Sequence, residues 1–159
     1  MLGFFGKTAG KVITTFLVSM VPVIELRGAI PYGYGMGLNI WISVVVSIIG
    51  NLIPVPFIII FIRKIFALIR RSVPKFDGLV TKLENRAESK SDVVKKYSFW
   101  GLFLLVAIPL PGTGAWTGAL VAAMLDMRLK RALPAIVSGV IAAAVIVAFI
   151  TCGANALFF

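Results

Sequence analysis

A chain of 159 residues that is 60% hydrophobic, with a mean hydropathy of +1.03, cannot cover a surface with polar groups; it reads as a single integral membrane domain (1–159) rather than a soluble one. It has no histidine and one cysteine, Cys152, which reads as a small core residue. That excludes an intrachain disulfide, a thiolate or His-based metal site and Ser–His or Cys–His catalysis, so no metal and no cofactor are expected. The net charge is +10, but Lys and Arg gather between the apolar segments, the pattern of a protein that orients by its basic loops and meets anionic lipid headgroups there; nucleic acid is not the expected partner.

Residues 1–11 are Gly-rich, carry Lys7 and Lys11 and lack a small-residue cleavage site, so they read as an interfacial segment rather than a leader. Residues 12–38 begin apolar, but the run to Ile24 is too short to span, at about 1.5 Å per residue against about 30 Å of hydrocarbon. It meets Glu25-Leu26-Arg27-Gly28-Ala29-Ile30-Pro31 and then a Tyr/Gly stretch, and reads as a first re-entrant hairpin. Residues 40–62 are long enough for a full span, with Asn51, Pro54 and Pro56 predicting a kink.

Residues 63–98 form a basic cytoplasmic loop; ten Lys/Arg and four Asp/Glu lie in 63–96. Within it Phe76, Leu79, Val80, Leu83 and Ala87 recur at spacings of three and four, predicting an amphipathic helix on the membrane surface or against a partner copy. Residues 99–125 are apolar but interrupted by Pro109-Leu110-Pro111-Gly112-Thr113-Gly114. Two prolines and two glycines in six residues cannot sit in a continuous helix. This predicts two half-helices meeting at a non-helical tip, a second re-entrant hairpin, tolerated at membrane depth only against protein or a wet cavity. Residues 133–152 form a second span, rich in small residues (Ser138, Gly139, Ala142, Ala143, Ala144) that let helices approach closely. The expected fold is therefore an all-α membrane protein: an inverted repeat of re-entrant hairpin plus transmembrane helix, with an amphipathic interfacial helix between the repeats.

Glu25 and Arg27 are the only charges between Val12 and Ile62, and an intramembrane ionisable residue is a functional candidate by default. Arg27 offers a planar fork suited to phosphate, or a clamp for free carbonyls at a hairpin tip. Glu25 is the candidate for proton or ion coupling, or the partner of Arg27 in an ion pair. If residues 115–125 are helical, their first amides behind Gly112, Thr113 and Gly114 make an anion site, with hydroxyls from Thr113 and Thr117. Gly28 is placed to make a similar tip opposite, and Trp116 to wall the substrate site or pack in the core. Asp126 is a further coupling candidate and, with Arg128, a capping or salt-bridge candidate at the mouth of the second hairpin. Asn51 either bonds hairpin backbone or lines a path. No Walker loop and no nucleophile–base pair is found, so neither ATP-driven transport by this chain alone nor enzymatic activity is expected.

With the Glu25–Pro31 and Pro109–Ala119 motifs in view, the chain resembles the small multi-drug export protein family over nearly its whole length. Its layout is also similar to the DedA superfamily, whose members have two oppositely oriented re-entrant hairpins and are implicated in moving lipid phosphates, undecaprenyl phosphate among them, and in proton-linked drug and pH resistance. The resemblance implies an acidic residue in the first hairpin, where Glu25 stands. It also implies arginines in the second, but residues 99–125 hold none and Arg128 is the nearest. The function expected is transport or flipping of an amphipathic anion, a lipid-linked phosphate first, coupled to protons or sodium, by a homodimer in a bacterial or archaeal cytoplasmic (inner) membrane. The alternatives are a proton-coupled exporter of small cationic drugs and a non-transporting membrane-organising protein.

Overall fold

The computed structural model describes residues 7–110 and 112–158. The expectation for residues 1–6 and the second proline of the tip, Pro111, lie outside the described residues. The described chain is helical with no strand: α1 (Thr8–Met20), α2 (Glu25–Gly35), α3 (Ile40–Leu52), α4 (Pro54–Ser72), a 3₁₀ turn (Pro74–Phe76), α5 (Asp77–Tyr97), α6 (Phe99–Ala107), α7 (Ala115–Met124) and α8 (Leu129–Phe158).

Among the described residues two helices are long and apolar enough to cross a membrane, α3 with α4 as one run (Ile40–Ser72) and most of α8 (Leu129–Ala154). The first is capped by Asn39, whose side chain accepts the Trp41 N–H at 2.9 Å. It does not stop at Ile62, where the hydropathy falls, but continues to Ser72 and ends before Pro74, which disfavours helix at Val73. Charge changes what surrounds a helix; proline changes whether it continues.

The other apolar helices are short. α1 and α2, 13 and 11 residues, pack against each other and against α3. α6 and α7, 9 and 10 residues, pack against each other, α6 also on α8 and α7 on α4. None exceeds about 20 Å at 1.5 Å per residue. Lys7 and residues 8–11 lead into and open α1 rather than forming a separate segment. α8 presents Ala132, Ala135, Ile136, Val140, Ala143, Ala144 and Val147 as one buried stripe. A Cβ on Gly139 would stand 2.9 Å from the Phe103 carbonyl, so glycine there sets how closely α6 and α8 approach.

α5 divides the predicted stripe. Val80, Ala87, Ser91 and Val94 are buried and Leu83 half-buried, while Phe76 and Leu79 are exposed. The buried side packs on α6 and α7 of the same chain. A tight corner enables it: Ser98 has φ 47, and a Cβ on Gly101 would run into the backbone of Val93.

Candidate functional site

The breaks in the two short helix pairs meet. The first, between α1 and α2, spans residues 21–24; the second, between α6 and α7, spans residues 108–114. Both bend through the left-handed region. Gly112 (φ 85) and Gly114 (φ 136) occupy it as glycine can, whereas Val23 (φ 79) and Glu25 (φ 50) do so against their side chains. A β-branched residue held there stores about 1–3 kcal/mol, the kind of strain that concentrates at binding sites and switches.

Glu25, 3% exposed, reaches across to the start of α7. Its carboxylate accepts the backbone N–H of Trp116 at 3.0 Å and of Ala115 at 3.3 Å. These amides, with the helix dipole behind them, stand where the sequence suggested an anion site, and the protein's own glutamate occupies them. A Cβ on Gly114 would collide with that carboxylate, so the glycine is needed for space as well as for its φ.

Two residues on, Arg27 does the complementary thing. Its guanidinium donates to the carbonyls of Thr113 (2.5 Å), Leu110 (2.6 Å) and Ile108 (3.0 Å) and to Thr113 Oγ1 (3.0 Å). These carbonyls are left without helical donors by the break. Of the sequence alternatives for Arg27, the carbonyl clamp is the one seen, and no ion pair joins it to Glu25. Thus one Glu-x-Arg segment binds both poles of a broken helix, acid on the amide end and base on the carbonyl end. Thr113 and Thr117 also serve the break: the Thr113 hydroxyl lies 2.8 Å from the carbonyls of Ile108 and Leu110, and that of Thr117 donates to Gly112 O at 3.2 Å.

Glu25, Gly112, Thr113, Trp116 and Thr117 line one side of a cavity of about 160 Å³, closed by Ile62 and Phe66 of α4 and Leu83 and Arg86 of α5. Arg86 is the residue that sequence reasoning missed. It lies on the helix expected to be a solvated charged face, yet its guanidinium stands at Gly112, where a Cβ would meet it, and makes no hydrogen bond or ion pair with a described residue. Its place one position before buried Ala87 and three after Leu83 is the only hint in the sequence. Two further donors at the site are buried without a protein acceptor among the described residues, Arg27 Nε and Trp116 Nε1.

The remaining candidates lie elsewhere. Gly28 forms no tip, because α2 already starts at Glu25; it is the fourth residue of the helix, and a Cβ there would strike Ile24. Asp126 stands beyond the far end of α7, exposed and ion-paired with Arg63. Exposed Arg128 lines a separate open cavity of about 680 Å³ with Ser98, Phe99, Asp126, Met127 and Arg131. Asn51 is wholly buried in α3. Among the described residues no group of three or more His, Cys, Asp or Glu is placed to hold a metal.

A family model described as "Putative small multi-drug export protein" matches residues 25–146, which begin at Glu25 directly after the first break, take in the second break and include every residue of the cavity except Pro22 and Val23. No curated protein and no solved structure matches the chain.

Proposed function

Because the chain belongs to the small multi-drug export protein family, we propose that it transports amphipathic anions across a membrane, with a lipid-linked phosphate as the substrate class. The headgroup enters the Arg86 cavity and takes the seat at the start of α7 that Glu25 holds at rest. In this proposal the two short helix pairs are re-entrant hairpins in inverted orientation, as in the DedA-like layout. The chain works without covalent chemistry, as a multi-pass homodimer of a bacterial or archaeal cytoplasmic membrane.

The observation that carries this reading is the occupied seat: two helix N-terminal amides already holding a carboxylate, with an unpaired guanidinium at the rim. A site built for one anion and edged by spare donors is suited to exchanging that anion for another. The spare buried N–H groups of Arg27 and Trp116 point the same way. The cavity has room for a headgroup and not for a lipid tail, which would stay in the bilayer. Glu25 supplies the coupling: an anion and an ionised Glu25 compete for the same amides, so protonating Glu25 favours the substrate.

The cation-export reading rests on one feature, a buried carboxylate beside the aromatic walls Phe66 and Trp116. One experiment separates the two. Trp41 and Trp100 are replaced by Phe, leaving Trp116 as sole fluorophore, and the protein is titrated with decyl phosphate and with decyltrimethylammonium. Saturable quenching by the phosphate, weakened about tenfold or more by Arg86→Gln through loss of a charge-assisted contact, is expected. Binding of the ammonium instead, tightened by Arg86→Gln, refutes the anion reading and makes Glu25 the cation ligand.

A further inference from the structure

Away from the cavity, α1 and α3 bury a line of polar side chains. Thr15 and Ser19 on α1 and Ser43, Ser47 and Asn51 on α3 are all 0% exposed. The spacing of four in each helix puts them on one stripe per helix. The glycines between the helices leave room for them. A Cβ on Gly33 of α2 would stand 2.8 Å from both Thr15 Oγ1 and Ser43 Oγ, and one on Gly50 would strike the Ser19 hydroxyl.

These groups are incompletely used. Helical hydroxyls commonly return their proton to their own helix, and Thr14, Thr15, Ser19, Ser91, Ser138 and Thr151 do so. Ser43 and Ser47 do not, and neither Oδ1 nor Nδ2 of Asn51 has a protein partner among the described residues. Backbone adds to the surplus beside Asn51. Pro54 and Pro56 have no N–H to give the carbonyls of Gly50 and Leu52 four residues back. A wholly buried carboxamide with both ends unmet is among the costliest arrangements in an apolar bundle.

We propose that this α1–α2–α3 seam is an internal water-binding site, in which ordered waters bridge Ser43, Ser47 and Asn51. Water fits the chemistry because the seam offers donors and acceptors together, and each buried water needs two to four such partners. A sodium ion would use only the oxygens; it would leave Asn51 Nδ2 unmet and find no carboxylate to offset its charge. The seam ends at the last turn of α1, where Ser19 opposes Gly50, and α1 leads directly into the strained break that carries Glu25. Ser19 lies two residues before that break, and no residue of the seam lines the Arg86 cavity.

The test is water-edited solid-state NMR of the full chain, labelled with ¹⁵N-asparagine, in deuterated lipid. The four asparagines (39, 51, 85 and 155) are told apart by substitution, Asn51→Leu identifying its signal. Magnetisation from water is expected to reach the Asn51 side chain nearly as fast as that of exposed Asn39. It should arrive several-fold faster than at the amides of core Leu102 and Ile136, read in a uniformly labelled sample. Asn51→Leu is expected to melt at or above the wild-type temperature, since it removes groups that only water meets. Water transfer to Asn51 as slow as to Leu102 overturns the proposal, as does an Asn51 signal that shifts when sodium replaces choline. Should Asn51→Leu fail to fold, Ser47→Ala gives the second reading: faster water transfer to Asn51 lost or reduced supports the seam, and an unchanged rate refutes it.

Discussion

Replacing Arg27 by alanine separates a strut from a substrate ligand. The wild-type guanidinium makes four hydrogen bonds of 3.0 Å or less to the second break, three of them to backbone carbonyls. A bond to a charged donor contributes about 1.5–3 kcal/mol net when buried. Those to Leu110 and Ile108 are partly exposed, so water or headgroups replace some of their worth after truncation. Leaving those two out and counting only the two bonds to Thr113 gives a loss of roughly 3–6 kcal/mol. For a chain of this size that corresponds to a fall in Tm of roughly 10 °C. Arg27→Lys should recover about half, because one ammonium cannot serve carbonyls spread over several residues as a planar fork does. The assay is thermal unfolding in detergent micelles followed by tryptophan emission, with Trp116 next to the affected backbone. An Arg27→Ala variant that melts within about 1 °C of wild type and loses only substrate binding would refute the strut and restore Arg27 as a headgroup ligand.

Glu25→Gln should bind decyl phosphate more tightly than wild type, by about tenfold, because an uncharged side chain competes less well for the amides of Ala115 and Trp116; equal or weaker binding, read by Trp116 quenching, counts against the exchange. Gly114→Ala should destabilise by at least about 2 kcal/mol, since φ 136 suits only glycine and the new methyl displaces the Glu25 carboxylate; Gly114→Ala melting like wild type would contradict the close approach. Arg63→Gln should change Tm little, as its ion pair with Asp126 is exposed at both ends (54% and 76%) and such pairs contribute about 0–1 kcal/mol. A large drop there would mean that Asp126 does more than tether the α7–α8 loop to α4.

How much of this was legible in the sequence depended on whether the cause was local. The second break was, because proline and glycine forbid a helix wherever they cluster. So was the close packing of α8 through Gly139. The helix that carries the first span runs ten residues past Ile62, since hydropathy falls at Arg63 while helix geometry is free to continue to Pro74. The site was legible only in halves. A lone glutamate in an apolar run and a helix start behind Gly112-Thr113-Gly114 each announced themselves, but not that each is the other's partner, 90 residues apart. Arg86 was hidden for the opposite reason. A cation among nine others in a basic stretch looks solvated, and only the packing of α5 on α6 and α7 turns that one toward Gly112.

The pairing has a consequence for how such a site moves. Glu25 and Arg27 share a tip but not a partner: the first holds amides at the head of α7, the second holds carbonyls of the loop before it, and no ion pair links them. The glutamate can therefore leave its seat while the arginine keeps the loop closed. Its departure is also helped from behind, since the left-handed Val23 and Glu25 give up strain if the start of α2 relaxes. On the proposed mechanism this divides the labour within three residues. Arg27 fixes the shape of the site through the cycle, Glu25 is the part that is exchanged, and Arg86 holds the incoming anion while the exchange takes place. The order of sensitivity follows: Arg27 variants should be read in stability, Glu25 variants in affinity and its dependence on protons, and Arg86 variants in affinity alone.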